Sequence, residues 1–332
     1  MNLFGVDLNV DPVFIAEIGV NHEGNLEAAK NLMTLAKEAG YHAAKFQIYN
    51  RHSFVSNFFE DKIKRIEKFS LSKAEYEQLR CFGREIKLPV FASAISHDMV
   101  DFLAADGVIK IASGDIDFQF LLNAVSKSSA KVILSTGASN HSEIMDAVKW
   151  IKDVSPVNIE EKLVLLACTS EYPCPIESAN VRRVQSLRSF GCKTGFSNHV
   201  VEQEAVLCAA ALGADVFEFH FTDSREGKEF HDHLLSFEPA ESKDIIAKVK
   251  KIRSALGSGI LERSKVEQSM YRNIRKGLIY KSDLECGRVI EQSDISFARP
   301  AVHFHANDLT KVVKRKLKKN VKAGDLVQRD DF

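Results

Sequence analysis

VFIAEIGVNHEGNLEAAKNLMTLAKEAG (residues 13–40) contains the pattern of one strand followed by one helix. Its first eight residues are apolar apart from Glu17, as in a strand covered on both faces. After this run, apolar residues recur at helical spacing between Asn25, which suits a helix N-cap, and Gly40, which suits a helix C-terminus. This βα pair is the unit from which parallel sheets are built.

The same alternation continues to about residue 255. Short apolar runs are separated by segments of helical period. The eight predicted strands are 13–20, 43–48, 89–94, 109–113, 131–137, 163–170, 193–199 and 216–222. Eight such units favour a (β/α)8 TIM barrel of the α/β class, because a doubly wound sheet usually has fewer strands.

The pattern changes beyond residue 255. Residues 257–276 are polar, and residues 277–304 alternate short strand-like runs with Gly, Asp and Ser. We therefore predict three segments: a TIM-barrel catalytic domain, 1–262; a linker, 263–274; and a small β-rich domain, 275–332.

Charge separates the two predicted domains. The whole chain has a formal net charge of zero, so it offers no electrostatic reason to bind nucleic acid or an anionic membrane. Residues 263–332 contain 16 Lys and Arg against 9 Asp and Glu, which leaves this part at about +7 and the barrel at about −7. The basic run KVVKRKLKKN (311–320) lacks interleaved aromatic residues. We predict a solvated face, or one that docks on the acidic barrel, rather than a nucleic-acid site.

The remaining bulk features favour a cytoplasmic location. The N-terminus has no basic segment typical of a signal peptide, and no apolar run approaches the roughly 20 residues needed to span a bilayer. The six cysteines show no C-x-x-C and no zinc spacing, so we expect free thiols.

Polar residues cluster at the carboxyl ends of the predicted strands, where barrel enzymes have their active sites. Lys45 and Lys110 each lie inside a strand-like run, and either one alone could be a lysine that extends to solvent. Together with Ser113, Ser135 and Ser197 at the same end of the barrel, they favour an anion site, because ammonium groups and hydroxyls bind phosphate and carboxylate.

Two histidines also end strands. A lone histidine near an apolar run is more often a core residue, but Ser197 and His199 share one strand face, and Glu218 and His220 share another. The two strands are consecutive and therefore neighbours in a barrel. Two interpretations of His199 and His220 therefore remain. They are either two core residues or two ligands of one divalent ion that polarises a substrate carbonyl.

Glu17 is an acid within a strongly apolar run. A buried carboxylate either meets a partner or has a raised pKa that suits proton chemistry, so Glu17 is a candidate catalytic residue. Asp115 and Asp232 are weaker candidates, since each alone would be an ordinary loop acid.

Seven sequence blocks taken together resemble the sialic acid synthase family, which includes N-acetylneuraminate, legionaminate and pseudaminate synthases. The blocks are IAEIGVNHEGN (15–25), AAKFQ (43–47), KIASGD (110–115), ILSTG (133–137), CTSEYPCP (168–175), GFSNH (195–199) and EFHFT (218–222). The segment GRVIEQSDISFARP (287–300) resembles the antifreeze-like (SAF, β-clip) domain that ends these enzymes.

The resemblance implies a transferase that condenses phosphoenolpyruvate with N-acetylmannosamine or a related 2-acylamino sugar. The products would be a nine-carbon 2-keto (nonulosonic) acid and phosphate. It also implies a divalent metal, Mn2+ or Mg2+, and a domain-swapped homodimer in which one subunit's antifreeze-like domain covers the other's site.

The resemblance further implies residue roles by matching position. The metal ligands would be His199 and His220. The catalytic residues would be Glu17, Lys45 and Lys110. The phosphoenolpyruvate site would comprise Lys45, Lys110, Ser113, Ser135, Ser170 and Ser197. The sugar site would comprise Glu17, Asp115, Tyr172, Asp232 and Arg299.

Several positions depart from the family pattern: Ala94 replaces a threonine, Asn198 an aspartate, Phe219 a basic residue and Asp115 a glutamate, and Ala301-Val302-His303 replaces a Gly-rich segment. Two alternatives follow. One is a synthase for a phosphorylated or unusual sugar, although Phe219 is expected to remove a cation that a phosphorylated acceptor would need. The other is a non-catalytic paralogue that serves as a binding or regulatory subunit, for which Ala94 and Asn198 are the main arguments.

Overall fold

We analysed a computed structural model, which describes residues 1–49, 51–56, 58 and 60–332. The chain divides into two compact units, Met1–Gly257 and Ser258–Phe332. The first unit contains the repeated βα pattern and the second contains the basic C-terminal segment.

The first unit begins with a short antiparallel hairpin formed by β1 (Asn2–Leu3) and β2 (Val6–Asp7). In the part of the chain that the structure describes, eight parallel strands then close into a barrel in the spatial order β10-β3-β4-β5-β6-β7-β8-β9. The barrel strands are β3 (Val13–Gly19), β4 (Ala43–Ile48), β5 (Val90–Ala94), β6 (Val108–Ile111), β7 (Lys131–Ser135), β8 (Leu163–Ala167), β9 (Lys193–Asn198) and β10 (Val216–His220). The prediction of an eight-stranded α/β barrel is confirmed.

Helices follow the strands around the barrel. They are α1 (Leu26–Ala39), α2 (Arg51–Phe54), α3 (Glu60–Phe69), α4 (Lys73–Glu85), α5 (Val100–Ala104), α6 (Gln119–Lys127), α7 (His141–Val154), α8 (Ile159–Lys162), α9 (Arg183–Leu187), α10 (Glu204–Ala211), α11 (His231–Leu235) and α12 (Pro239–Leu256). The predicted ends of α1 are confirmed: the Asn25 side chain accepts from two backbone N–H groups, and Gly40 has φ of +99°. Among the described residues, no helix is both long and apolar enough to cross a membrane.

Strand alternation produces two separate cores. Side chains that point outward from the strands pack against the helices, as Phe46 and Phe219 do. Side chains that point inward at the amino ends of the strands form a second apolar cluster, closed by Met1, Leu3 and Leu8 of the N-terminal hairpin. Apart from Lys131 and Lys193, the first residues of β7 and β9, the inward positions become polar toward the carboxyl ends, so the barrel interior is apolar at one end and polar at the other.

A buried lysine joins α6 to α8 outside the barrel. The side chain of Lys162 is 2% exposed, and its ammonium group donates to the carbonyl oxygens of Val125, Ser128 and Ala130 at 3.2, 2.7 and 2.6 Å. These carbonyls lie at and beyond the end of α6, where helix geometry leaves them without intrahelical partners. Lys162 therefore acts as the C-terminal cap of α6.

We expect Lys162→Met to lower the free energy of unfolding by about 3 kcal/mol, because the apolar side chain fills the same space but removes the donor to the Ser128 and Ala130 carbonyls, whereas the Val125 carbonyl still accepts from Ser128. Urea unfolding followed by circular dichroism measures this difference. The matched control is Lys127→Met, which removes an exposed lysine of α6. Equal midpoints for the two variants would contradict the capping role.

The second unit has its own small core. Its strands are β11 (Gly277–Tyr280) and β12 (Ile295–Ala298), which pair antiparallel, and its helices are α13 (Lys265–Ile274) and α14 (Leu309–Val312). The apolar cluster around Leu278 and Val312 belongs to this unit alone.

Most of the predicted linker, residues 263–274, is helical rather than extended. Helix α13 begins at a capping box in which Ser264 and Glu267 exchange hydrogen bonds. None of its residues is buried within the unit, which is why its sequence reads as polar and resembles a linker.

Candidate active site

A cavity of about 480 Å3 opens at the carboxyl ends of the barrel strands. Nearly all of the residues predicted as site residues line it: Glu17, Lys45, Lys110, Ser113, Asp115, Ser135, Ser170, Tyr172, Ser197, His199, His220 and Asp232. Arg299, the remaining one, follows β12 in the second unit and is exposed there. The barrel thus brings together side chains that are up to 215 positions apart in the sequence.

Glu218 lies at the centre of the polar side chains in this cavity. Its Oε1 accepts hydrogen bonds from Lys110 Nζ at 3.1 Å and from Ser197 Oγ at 3.0 Å, and its Oε2 lies 3.8 Å from Lys45 Nζ. Lys110 is on β6, four strands from β10 in either direction around the barrel, so this contact crosses the interior. Burial raises the pKa of the Glu218 carboxyl, but Lys110 and Lys45 outweigh that effect and lower the pKa below its usual value.

Glu17 is paired in the structure, which was one of the two alternatives for a carboxylate buried in an apolar strand. Its Oε2 is 2.5 Å from Lys45 Nζ, and its Oε1 accepts from Gln47 Nε2 at 3.1 Å. Burial lowers the pKa of the Lys45 ammonium group, but Glu17 and Glu218 outweigh this effect and raise it. Glu17, Lys45, Lys110 and Glu218 form a buried cluster of two anions and two cations, which we call the charge cluster.

Serine hydroxyls lie beside the charge cluster. Gly137, just after β7, donates its backbone N–H to Ser113 Oγ at 3.0 Å. A Cβ at this glycine would lie 2.3 Å from Ser170 Oγ and 2.8 Å from Ser113 Oγ, so only glycine allows the two serines to approach the same backbone. The hydroxyl of Ser135 is buried and has no hydrogen-bond partner among the described residues. These hydroxyls are suited to an oxyanion.

His199 and His220 face each other at the cavity, with ring centroids 5.4 Å apart. His199 Nδ1 lies 2.6 Å from the Thr169 carbonyl oxygen, so Nδ1 carries a proton and the lone pair of the neutral ring is on Nε2. Burial lowers the pKa of His199, but Cys168 and the hydrogen bond to Thr169 outweigh burial and raise it. His220 Nδ1 is buried without a partner, and burial lowers the pKa of His220 to about 3, so the ring is neutral at neutral pH.

These observations fit a metal site better than two core histidines. A metal ligand is usually an imidazole oriented by a hydrogen bond through its second nitrogen, as His199 is, and neutral, as His220 is. In the described ranges, no three His, Cys, Asp or Glu side chains are grouped so as to hold an ion by themselves. Any ion held by His199 and His220 therefore requires further ligands from solvent or substrate.

Helix α11 carries Asp232 to the cavity wall and is fixed there by buried hydrogen bonds. Asn21, after β3, donates from Nδ2 to Ser236 Oγ at 2.9 Å, and Ser236 donates to the Asp232 carbonyl oxygen at 2.6 Å. His233 Nδ1 and Thr222 Oγ1 lie 2.7 Å apart. The position of Asp232 therefore depends on the ends of β3 and β10.

The outer wall of the cavity is apolar on one side. The side chains that form it are Val20, Tyr49, Phe54, Ile66, Phe69, Ile95 and Phe230. Among the described residues the cavity therefore has a charged interior and a largely apolar wall, as expected for a ligand with one ionic part and one less polar part.

Comparison with known proteins identifies the family. A profile of the NeuB family matches residues 32–261. The chain belongs to the NeuB family. It is 34% identical to uncharacterized protein MJ1065 of Methanocaldococcus jannaschii, over 97% of this chain and 95% of that protein. It is 30% identical to N,N'-diacetyllegionaminic acid synthase of Campylobacter jejuni, over 95% of this chain and 98% of the synthase.

A solved structure gives the same result. The crystal structure of N-acetylneuraminic acid (sialic acid) synthetase from Leptospira borgpetersenii, in complex with citrate, superposes with a TM-score of 0.74 at 33% identity, covering 80% of this chain and 93% of that one. The resemblance to sialic acid synthases inferred from the sequence is confirmed.

Three of the departures of this NeuB chain from the family pattern, at Ala94, Asn198 and Phe219, lie outside the cavity, whereas Asp115 lines it. Ala94 and Phe219 point outward into the core between strands and helices. Asn198 donates from Nδ2 to the Val200 carbonyl oxygen at 2.7 Å and shapes the turn after β9. The expectation that Phe219 removes a cation from the cavity is wrong, because alternation along β10 turns Glu218 and His220 inward and Phe219 outward.

Among the cavity residues of this NeuB chain that were missing from the predicted site are Glu218 and Cys168. Glu218 shares a strand face with His220, so strand alternation was the signal that should have identified it. Cys168, at the end of β8, has its Sγ 3.7 Å from His199 Nδ1. The sequence signal for Cys168 was its place in the block CTSEYPCP (168–175), directly before Thr169 and Ser170.

Proposed function

We propose that this NeuB protein condenses phosphoenolpyruvate with an unphosphorylated 2-acylamino sugar, giving a nine-carbon 2-keto acid and phosphate. The observation that carries the proposal is the buried pair of ammonium groups, Lys45 and Lys110, at one end of the barrel beside the hydroxyls of Ser113, Ser135 and Ser170. This set of groups suits a small ligand that has both a phosphate and a carboxylate.

The residues of the charge cluster and the serines would bind and orient phosphoenolpyruvate. Lys45 and Lys110 would bind its anionic groups while the serine hydroxyls donate to phosphate oxygens, which holds C3 against the sugar aldehyde in a near-attack geometry. Bond formation from C3 to C1 leaves cationic character at C2, water adds there, and C–O cleavage releases phosphate. Glu17, next to Lys45, would stabilise the cationic centre or move the proton of the water.

A divalent ion, Mn2+ or Mg2+, held by His199 and His220 would polarise the aldehyde oxygen of the sugar. Two observations support such an ion. The ring of His220 is neutral and its Nδ1 has no hydrogen-bond partner in the described residues, and Nδ1 of His199 is held by a backbone carbonyl. The two rings lie close enough to share one ion, and the open positions would accept solvent and substrate.

The cavity also favours an unphosphorylated acceptor. In the described lining, the lysines are Lys45 and Lys110, and both already contact carboxylates of the charge cluster. The opposite wall is largely apolar and suits acyl and deoxy substituents better than a second phosphate. Asp115, Tyr172 and Asp232 would bind the hydroxyl and amide groups of the sugar.

We extend the proposal to the second unit. Residues 275–332 would form an antifreeze-like domain whose Arg299 completes the sugar site of a second subunit in a domain-swapped homodimer. What supports this is the similarity of residues 287–300 to that domain and the excess of positive charge in this unit against the acidic barrel.

The test is a phosphate-release assay with phosphoenolpyruvate, Mn2+ or Mg2+, and a panel of 2-acylamino hexoses, their 6-deoxy forms and their 6-phosphates. We expect phosphate release with unphosphorylated sugars and a nine-carbon keto acid by mass spectrometry. Release with the 6-phosphates alone would favour the phosphorylated-acceptor alternative. Binding of the panel without any phosphate release would favour a non-catalytic paralogue.

Asp115 should make acceptor binding depend on pH. Burial, followed by the nearby Asp117, raises the pKa of Asp115 from 3.8 to about 6, although Lys110 opposes this. The folded state therefore favours protonated Asp115, which adds stability at low pH that is lost as pH rises from about 4 to 6. The ionised form that accepts from sugar hydroxyls prevails above pH 6.

We expect the acceptor KM to rise about fourfold between pH 7.5 and 5.5, following the ionised fraction of a group with a pKa near 6. Asp115→Asn should show a flat profile over this range. The KM for phosphoenolpyruvate, measured in the same assays, is the control. A wild-type slope retained in Asp115→Asn would contradict the assignment.

A further inference from the structure

A second cavity, of about 500 Å3, lies at the opposite end of the barrel. It is lined where β9 and β10 begin, by residues that include Arg188, Lys193, Thr194, Asp215 and Arg253. None of its lining residues is shared with the first cavity among the residues that the structure describes. We call it the basal cavity.

The basal cavity has an excess of positive charge. Three cationic side chains line it against two acids, Asp215 and Glu160, and Glu160 is exposed at its edge. Arg253 pairs with Asp215 at 3.2 Å, which neutralises one cation. Burial raises the pKa of Asp215, and Lys193, Arg253 and Arg188 all oppose this, so the three cations lie around one carboxylate.

The other two cations have neutral partners. Arg188 donates to the Gly213 carbonyl oxygen at 2.6 Å, and Lys193 donates to Asn9 Oδ1 at 2.8 Å. Across the described ranges, neither is within 4 Å of a carboxylate. Both therefore have capacity to donate to an anion, since guanidinium and ammonium groups carry several donors each.

A buried hydroxyl adds a second, independent feature. Thr194 is 1% exposed, lines the basal cavity, and its Oγ1 has no hydrogen-bond partner among the described residues. A buried hydroxyl without a partner costs free energy that a bound acceptor would recover. A guanidinium, an ammonium and a free hydroxyl around one space are the groups that bind oxyanions.

We propose that the basal cavity binds a small oxyanion, a phosphate or carboxylate group, through Arg188, Lys193 and Thr194. The bound group would contact the first residues of β9, the strand that carries Ser197 and leads to His199. Occupancy would stabilise the folded state, because the ligand binds the folded protein and not the unfolded chain. The proposal does not rest on the proposed function.

The test is isothermal titration of the whole protein with inorganic phosphate and, separately, with acetate, at an ionic strength kept constant with sodium chloride. Because the first cavity is also expected to bind phosphate, the titrations use Lys110→Met as the background. We expect binding to persist in this background and to weaken about tenfold on adding Lys193→Gln or Arg188→Gln, each of which removes a charge-assisted hydrogen bond.

The matched control is Lys131→Gln, which removes a lysine at the same end of the barrel that does not line the basal cavity. Binding of acetate alone would support the site and assign it to carboxylates, and binding of phosphate alone would assign it to phosphates. No binding of either anion in the Lys110→Met background would overturn the proposal, as would equal affinities in Lys193→Gln, Arg188→Gln and Lys131→Gln.

Discussion

Glu218→Gln is expected to lower the free energy of unfolding by about 3–5 kcal/mol, the usual cost of removing one member of a buried ion pair. The side chains of Glu218, Lys45 and Lys110 are all nearly inaccessible. Glutamine keeps the shape of glutamate but removes its charge, so the charge cluster changes from neutral to a net positive charge inside the barrel. Lys45 keeps Glu17, whereas Glu218 is the sole ion-pair partner of Lys110 in the described residues.

Two comparisons separate this effect from a general loss of packing. Glu77→Gln makes the same chemical change at the Arg80 pair, where Glu77 is half exposed, and should cost under about 1 kcal/mol. The double variant Lys110→Met/Glu218→Leu removes both charges and should be more stable than Glu218→Gln, because no unpaired charge remains in the interior. Urea unfolding of the four proteins measures the differences.

The same variant tests whether the charge cluster receives an anion. Phosphoenolpyruvate would supply the negative charge that Glu218→Gln lacks, so it should raise the midpoint of thermal unfolding more in the variant than in the wild type. A ligand-induced shift no larger than that of wild type would indicate that the anion binds away from Lys110. A variant as stable as wild type would contradict a stabilising role for the ion pair between Lys110 and Glu218.

Strand alternation explains which parts of the site could be predicted from the sequence. The eight apolar runs established the barrel, and closure of a barrel places every strand end at one opening, so the lysines, serines and histidines could be assigned to one cavity. Apart from Arg299, which lies in the second unit, the predicted site residues do line it. Those assignments required only that each residue lie near the carboxyl end of a strand.

Contacts across the barrel could not be predicted in this way. The pairing of Lys110 with Glu218 joins opposite strands and depends on the width of the closed barrel and on side-chain length, neither of which a strand pattern specifies. The strand face on which a residue lies also decides whether its side chain can reach the cavity. Asn198 and Phe219 depart from a family motif, yet both point away from the cavity, while Glu218, which precedes Phe219 on β10, points into it.

His220→Ala is expected to reduce phosphate release from phosphoenolpyruvate by about a thousandfold, equivalent to about 4 kcal/mol of transition-state stabilisation. The reason is the loss of one of the two protein ligands that would hold the divalent ion. Mn2+ affinity, measured by isothermal titration without substrate, should fall in parallel, which separates loss of metal from loss of catalysis alone.

His141→Ala is the matched control, because His141 begins α7, does not line the cavity and packs against Phe190. Circular dichroism checks that His220→Ala remains folded, since the ring it removes is buried between Tyr172 and His199. Addition of a chelator should lower wild-type activity to the level of the variant and leave the variant unchanged. An unaltered rate and an unaltered Mn2+ affinity in His220→Ala would contradict the metal assignment. The two histidines would then serve to position Tyr172 rather than to hold an ion.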